Sequence, residues 1–278
     1  MPLPEWRLPP GVSRALWEYT QQAPIARQYD QSIAASGLAH YDQAVLDEHY
    51  RQPGRLVDLG CGSGRLAVHF AARGFDVLGV DLSFEMLRVM REKARAAGVQ
   101  VPGIRANLCQ LDCFPDESFD YALSMFSTLG MISGAEARLR ALQQTCRILQ
   151  PGGKFALHVH NLWHNLLNPH GRRWLLRDRW NRLLRREPGG DVRMHDRGIP
   201  HMYMHVFARS EVQVLLRAAG FAIDEVIPLS KTGSSALSHP FWLGGLRANG
   251  WIILAHRPPA IPKVANLANL ANNSKAAK

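Results

Sequence analysis

The stretch Val57-Asp58-Leu59-Gly60-Cys61-Gly62-Ser63-Gly64 decides how this 278-residue chain is read. The short apolar run Arg55-Leu56-Val57-Asp58-Leu59 reads as a strand, and Arg65–Arg73 (RLAVHFAAR) has the apolar spacing of a helix packed on a sheet. Glycines at 60, 62 and 64 between strand and helix mark a turn whose backbone passes close to a ligand, because a side chain there would fill the approach. Taken alone, the turn also suits a nicotinamide dinucleotide, or a tight bend with no ligand.

Outward from that turn the chain alternates. Phe75–Val80 reads as a second strand ending at Asp81, and Ser83 as the N-cap of a helix running through Met86, Leu87 and Met90 to Gly98. Further strands are expected near Val101–Ala106, Phe119–Met125 and Lys154–His160, with a helix over Gly134–Leu149 between the last two. This alternation predicts an α/β fold, a seven-stranded, mostly parallel sheet with helices on both faces. Ser210–Ala219 supplies another helix, and Phe221–Pro228 and Trp251–His256 the last two strands.

Three features narrow the ligand. The spacing Gly60, Gly62, Gly64, then Arg65 is not GxGxxG, which disfavours a nicotinamide dinucleotide. Asp81, 21 positions after Gly60, ends the second strand, where a carboxylate accepts from both ribose hydroxyls. Asn107 follows the third strand, where an amide can meet an adenine edge with Leu108 covering the ring; capping a turn is its other reading.

The segments VDLGCGSGRL (57–66), VDLSFEML (80–87), SFDYALSMFSTLG (118–130) and RILQPGGKFAL (147–157) resemble, in order and spacing, the motifs of class I S-adenosylmethionine-dependent methyltransferases. The likeness is to the methyltransferase type 11 or ubiquinone-biosynthesis-like group, and spans roughly residues 50–160, weakening towards 257. It implies a Rossmann-like fold and S-adenosyl-L-methionine as cofactor. It carries Asp58, Gly60, Gly62 and Gly64 to the glycine loop facing the methionine moiety, Asp81 to the ribose, Leu82 and Met86 to the adenine, and Met125 and Phe126 to the sulfonium side. The family often has Asp where this chain has Asn107.

Methyl transfer from a sulfonium is an in-line displacement, so holding the acceptor about 3 Å from the methyl carbon supplies most of the catalysis. A hydroxyl or acidic carbon acceptor also profits from a base, and histidine suits neutral pH. His160, at the end of the fifth strand beside His158 and near His164, is the first candidate, and His205 in HMYMH (201–205) the second. The set His158, His160, His164 and His170 has no accompanying carboxylate, and no metal is expected.

Residues 161–208 break the alternation and carry no clear strand. From Arg172 to Arg186 they hold seven arginines, with Leu176, Trp180, Leu183 and Leu184 at helical spacing, which reads as a lid helix with one apolar face. The expected organisation is an N-terminal helical cap over 1–50, a cofactor-binding core over 51–257 including a substrate lid over 161–208, and a flexible tail over 258–278.

The net charge of +10 favours an anionic partner without identifying it. A small-molecule acceptor is the leading expectation. A tRNA-modifying enzyme is the alternative, supported by a faint likeness of Met202–Phe207 to wobble-uridine methyltransferases, and a non-catalytic module retaining the fold is the third reading. No run approaches a membrane span, Cys61, Cys109, Cys113 and Cys146 show no paired spacing, and the expected location is cytoplasmic.

Overall fold

The computed structural model describes residues 4–34, 36–184, 189–196 and 199–259. Strand β1 (Arg55–Leu59) is buried at every residue but its first, as a central strand covered on both faces must be. It pairs in parallel with β2 (Asp76–Asp81) on one side, Val57 opposite Leu78, and with β4 (Phe119–Ser124) on the other, Val57 opposite Ala122. The short β3 (Gly103–Arg105) lies outside β2, and β5 (Leu149–His160) lies beyond β4, both parallel. Strand β9 (Gly250–His256) runs antiparallel against β5, with β8 (Ala222–Pro228) outermost, giving the order β3-β2-β1-β4-β5-β9-β8. The expected seven-stranded, mostly parallel sheet is the one observed.

Helices cover both faces. α4 (Arg65–Ala72) buries Leu66, Ala67 and Phe70; α5 (Phe84–Ala96) buries Met86, Leu87, Met90 and Ala94, and the Ser83 hydroxyl caps it by accepting from the Met86 N–H at 3.3 Å. These pack with Leu46 of α3 (Gly37–His49) on one face. α7 (Ala135–Ile148) and α9 (Arg209–Ala218) cover the other, through Leu142, Ile148, Val212 and Leu216. The order of the strands reverses between β1 and β4, and it is beside their carboxyl ends that such sheets bind ligands. Above that switch point lie α1 (Arg14–Thr20), α2 (Ala23–Ala34) and the short α6 (Thr128–Met131).

Two expectations for residues 161–208 are corrected. The segment holds a β-hairpin, β6 (Asp191–Asp196) against β7 (Ile199–His205), with Asp191 opposite His205. Its alternation was masked because charged and histidine side chains occupy many positions, and the pairing is secured by polar bonds described below. The segment also holds a 3-10 turn (Leu162–Leu167) and α8 (Pro169–Leu183). Leu176, Trp180 and Leu183 on α8 are not packed inward: they are 71%, 63% and 75% exposed. The inward face is Gly171, Leu175 and Asp178. A Cβ at Gly171 would overlap the Asn165 carbonyl, so the glycine's close approach sets the helix rotation; Leu175 follows one turn on, and Asp178 accepts from the Gly190 N–H at 2.9 Å. Arg185, Arg186 and almost all of the 258–278 tail lie outside the described residues.

Candidate functional site: a two-chambered cleft at the switch point

The three glycines have three different reasons. All have positive φ, +79° at Gly60, +53° at Gly62 and +79° at Gly64, where an L side chain is disfavoured. The Gly60 and Cys61 N–H groups both donate to the Val80 carbonyl, at 2.8 and 3.0 Å, tying the turn to the end of β2. A Cβ at Gly60 would overlap the Thr128 methyl, and one at Gly62 would press the Tyr29 ring at 3.3 Å. Gly64 lies off the cleft lining, where a Cβ would overlap Met90, so its role is helix packing.

The larger of two chambers is a cavity of about 110 Å³ that opens to solvent. Asp81 stands in its wall, one carboxylate oxygen accepting from the Gly62 N–H at 2.9 Å and the other from the Ser83 N–H at 2.8 Å. Burial raises its pKa while those N–H groups oppose the rise, and each oxygen keeps lone pairs for a further donor. Leu82, Met86, Ala106 and Leu108 supply apolar walls. Asn107 also lines the chamber, but its amide donates to the Pro10 carbonyl at 2.8 Å and its oxygen accepts from the Cys109 N–H at 3.0 Å. It is thus a turn cap that pins the N-terminal lead, with one N–H left over.

The sequence placed a helical cap over 1–50 but assigned none of its residues to the chamber. Gly11, Val12, Leu16, Tyr19, Thr20 and Tyr29 line the same chamber, and the Ser83 hydroxyl donates to the Thr20 carbonyl at 2.8 Å. No motif marks these residues; the only hint is aromatic and aliphatic side chains recurring in a segment with no strand to cover.

The second chamber shares Gly60 and Tyr29 and adds Asp58, Cys61, Ser63, Arg65, Leu66, Met125 and Phe126. Burial raises Asp58 to about 7, against the pull of Arg65. Arg65 lies 5.2 Å over the Phe126 ring and donates to the buried Asp42 carboxylate at 2.6 Å, clamping α3 to the rim. Phe126 and Ser127, one residue beyond β4, are both left-handed at φ +53° and +60°, a strained pair of the kind structures retain at functional sites.

The two candidate bases lie outside both linings. His160 donates its backbone N–H to the Ser127 hydroxyl at 3.4 Å, and its ring stands edge-on to His158 at 5.1 Å. Burial, with repulsion from His164, pulls His160 down to about 4, and burial takes His158 well below the usual range. Both rings are neutral at pH 7. His205 is 1% exposed and held at both nitrogens, by Asp191 at 2.6 Å and Glu211 at 2.7 Å. Burial pulls its pKa down, but the two carboxylates overcome this and raise it. Asp191 also accepts from the Tyr203 hydroxyl at 2.7 Å, which in turn accepts from buried Arg138 at 2.8 Å. This chain of bonds fastens the β6–β7 hairpin to α7 and α9, and it leaves His205 no free nitrogen for a substrate. Among the described residues, no group of three or more His, Cys, Asp and Glu side chains is placed to hold a metal ion.

Sheet order, glycine turn and a carboxylate at the end of β2 define a nucleoside-binding α/β protein. Residues 56–153 match the family model described as "Methyltransferase domain". A demethylmenaquinone methyltransferase of Thermus thermophilus is 35% identical over 109 residues, 38% of this chain and 47% of the relative. An S-adenosyl-L-methionine-dependent Diels-Alderase of Talaromyces variabilis is 36% identical over 106 residues, 37% of this chain and 35% of the relative. The crystal structure of an S-adenosylmethionine-dependent methyltransferase from Methanosarcina mazei is similar at TM-score 0.62 and 25% identity, covering 77% of this chain and 97% of that one. The chain spans about half the length of the curated relatives it matches. It carries a class I S-adenosylmethionine-dependent methyltransferase domain.

Proposed function

We propose that this chain binds S-adenosylmethionine across the two chambers and transfers its methyl group to a small-molecule acceptor. The observation that carries the reading is Asp81, a half-buried carboxylate with two backbone anchors and spare lone pairs, in a chamber walled by apolar side chains. That environment fits a ribose diol and an adenine ring. Leu82, Met86 and Leu108 would flank the base, and Asp58, with the glycine turn, would face the methionine ammonium and carboxylate. Tyr29, common to both chambers, and Thr128 lie where the two moieties join.

When bound, the cofactor supplies an activated methyl group. The chain's own work is to fix that group's direction and to keep water from it. The N-terminal lead does so by lying over the larger chamber, held by Asn107 and Ser83. A neutral His160, tied by its backbone N–H to Ser127 of the strained Phe126–Ser127 turn, is the residue assigned to orient an acceptor or to take its proton. The likeness to a demethylmenaquinone methyltransferase supports a small acceptor over a macromolecule. Incubation with methyl-labelled cofactor and either the low-molecular-mass fraction of a cell extract or total tRNA tests this. Label is expected in the small-molecule fraction; label in tRNA alone establishes the RNA-modifying reading instead. Cofactor binding with no transfer to any fraction establishes a non-methylating role for the fold.

Asp58 gives the binding a pH signature. Its pKa of about 7 in the free protein falls when a cation binds beside it, so binding expels a proton below that pH. S-adenosylhomocysteine affinity should therefore rise from pH 6 to pH 7 and level off above, by up to about tenfold per unit. Titration calorimetry across that range checks it, and Asp58→Asn should flatten the curve; an unchanged slope in the variant would place the proton elsewhere.

A further inference from the structure

The surface formed by α8 and the loop before the short helix α10 (Gly244–Arg247) carries large apolar side chains that the fold does not use. A helix turns about 100° per residue, which lines up Leu176, Trp180 and Leu183 on the solvent side of α8. Exposed arginines border this stripe on both sides, Arg172 and Arg179 along one edge and Arg173 and Arg177 along the other. The loop is equally exposed: Phe241 at 99% and Trp242 at 77%. It is a built turn. Arg247 donates to the carbonyls of Ser238, His239 and Trp242 at 3.3, 3.2 and 3.0 Å, and His239 and Leu243 take left-handed φ of +53° and +50°. α8 and α10 both contact the Leu162–Leu167 turn, on which Leu166 and Leu167 are themselves exposed.

We propose that this surface is an interfacial anchor for an anionic lipid bilayer. Charge chooses the occupant. A second copy presenting the same face would set four arginines against four, and the acidic residue of α8, Asp178, is turned inward onto Gly190. Nucleic acid would satisfy the guanidinium groups but leave Leu176, Leu183 and Phe241 in water. A lipid interface satisfies both, because apolar side chains enter the acyl boundary while flanking arginines reach the phosphates and tryptophans sit at the headgroup level. No helix among the described residues is long and apolar enough to cross a membrane, so the contact is peripheral. The surface lies outside both chambers, and the inference stands whichever acceptor the cleft takes.

Vesicle flotation with the full chain tests it, using phosphatidylcholine alone and phosphatidylcholine with about one part in three phosphatidylglycerol. Binding is expected to the anionic vesicles, at least about tenfold tighter than to the neutral ones and weakened by salt. Leu176→Ser/Trp180→Ser/Leu183→Ser, which keeps every arginine, should lose about tenfold or more, and Phe241→Ser/Trp242→Ser should lose several-fold. Arg172→Gln/Arg173→Gln/Arg177→Gln/Arg179→Gln should lose the anionic preference. Unchanged S-adenosylhomocysteine binding and thermal unfolding confirm that each variant is folded. Undiminished flotation of the triple serine variant overturns the proposal. So does a chain that ignores anionic vesicles, whether it binds tRNA with an affinity the serine variant retains or forms a dimer that the serine variant dissolves.

Discussion

Asp81→Ala should weaken S-adenosylhomocysteine binding by about a hundredfold or more. The carboxylate is fixed by the Gly62 and Ser83 N–H groups, so its remaining lone pairs are already aimed into the chamber before ligand arrives. Two hydrogen bonds from a diol to a charged acceptor contribute about 1.5–3 kcal/mol each, which sums to roughly 3–6 kcal/mol and a factor of about 10² to 10⁴. The loss has a second source: without the carboxylate the Gly62 N–H has no acceptor, and the turn that faces the methionine moiety loosens. Asp81→Asn keeps one acceptor oxygen and should fall between the two. Calorimetric titration measures all three proteins, and an alanine variant within about fivefold of wild type would remove Asp81 from the ribose site.

Gly64→Ala should destabilise the fold by about 2–5 kcal/mol, the sum of about 1–2 kcal/mol for an alanine in left-handed backbone and about 1–3 kcal/mol for overpacking. The overlap is with Met90, a fully buried residue on α5, so the strain is shared between α4 and α5 and cannot be relieved by moving a surface side chain. Denaturant titration should show the loss, with a fall in Tm on the order of 10 °C. Adding Met90→Ala should recover part of the clash while opening a cavity of its own, so the double variant is less unstable than the two single effects added. A Gly64→Ala protein within about 0.5 kcal/mol of wild type would mean the turn relaxes freely, and that Gly64 is not needed for packing.

Strands β1 and β2 were legible because each is a short apolar run closed by a glycine or a carboxylate that has its own chemical reason. Asp81 and Leu108 were placed by their position after strand ends, and Leu82, Met86, Met125 and Phe126 by the family resemblance; all line the cleft. Residues whose function depends on distant partners were not legible. His205 looks like a free histidine in HMYMH until Asp191 and Glu211 are brought to its two nitrogens from β6 and α9. For Asn107 the sequence left a base contact and a turn cap both open; its bonds with the Cys109 N–H and with the Pro10 carbonyl, 97 positions away, make it a cap. Apolar spacing on α8 shows a stripe but not which way it points, and that was decided by Gly171, a residue with no side chain to read. The N-terminal cap was expected as helical, but which of its residues line the chamber escaped, because a roof made of loop and short helices carries no motif.

The most direct measurement is a calorimetric titration of the wild-type chain with S-adenosylhomocysteine and, separately, with NADH. Saturable one-to-one binding of S-adenosylhomocysteine, with no heat from NADH, is the expected result. Binding of NADH without S-adenosylhomocysteine would contradict the reading of the Gly60–Asp81 cleft from its glycine turn upward.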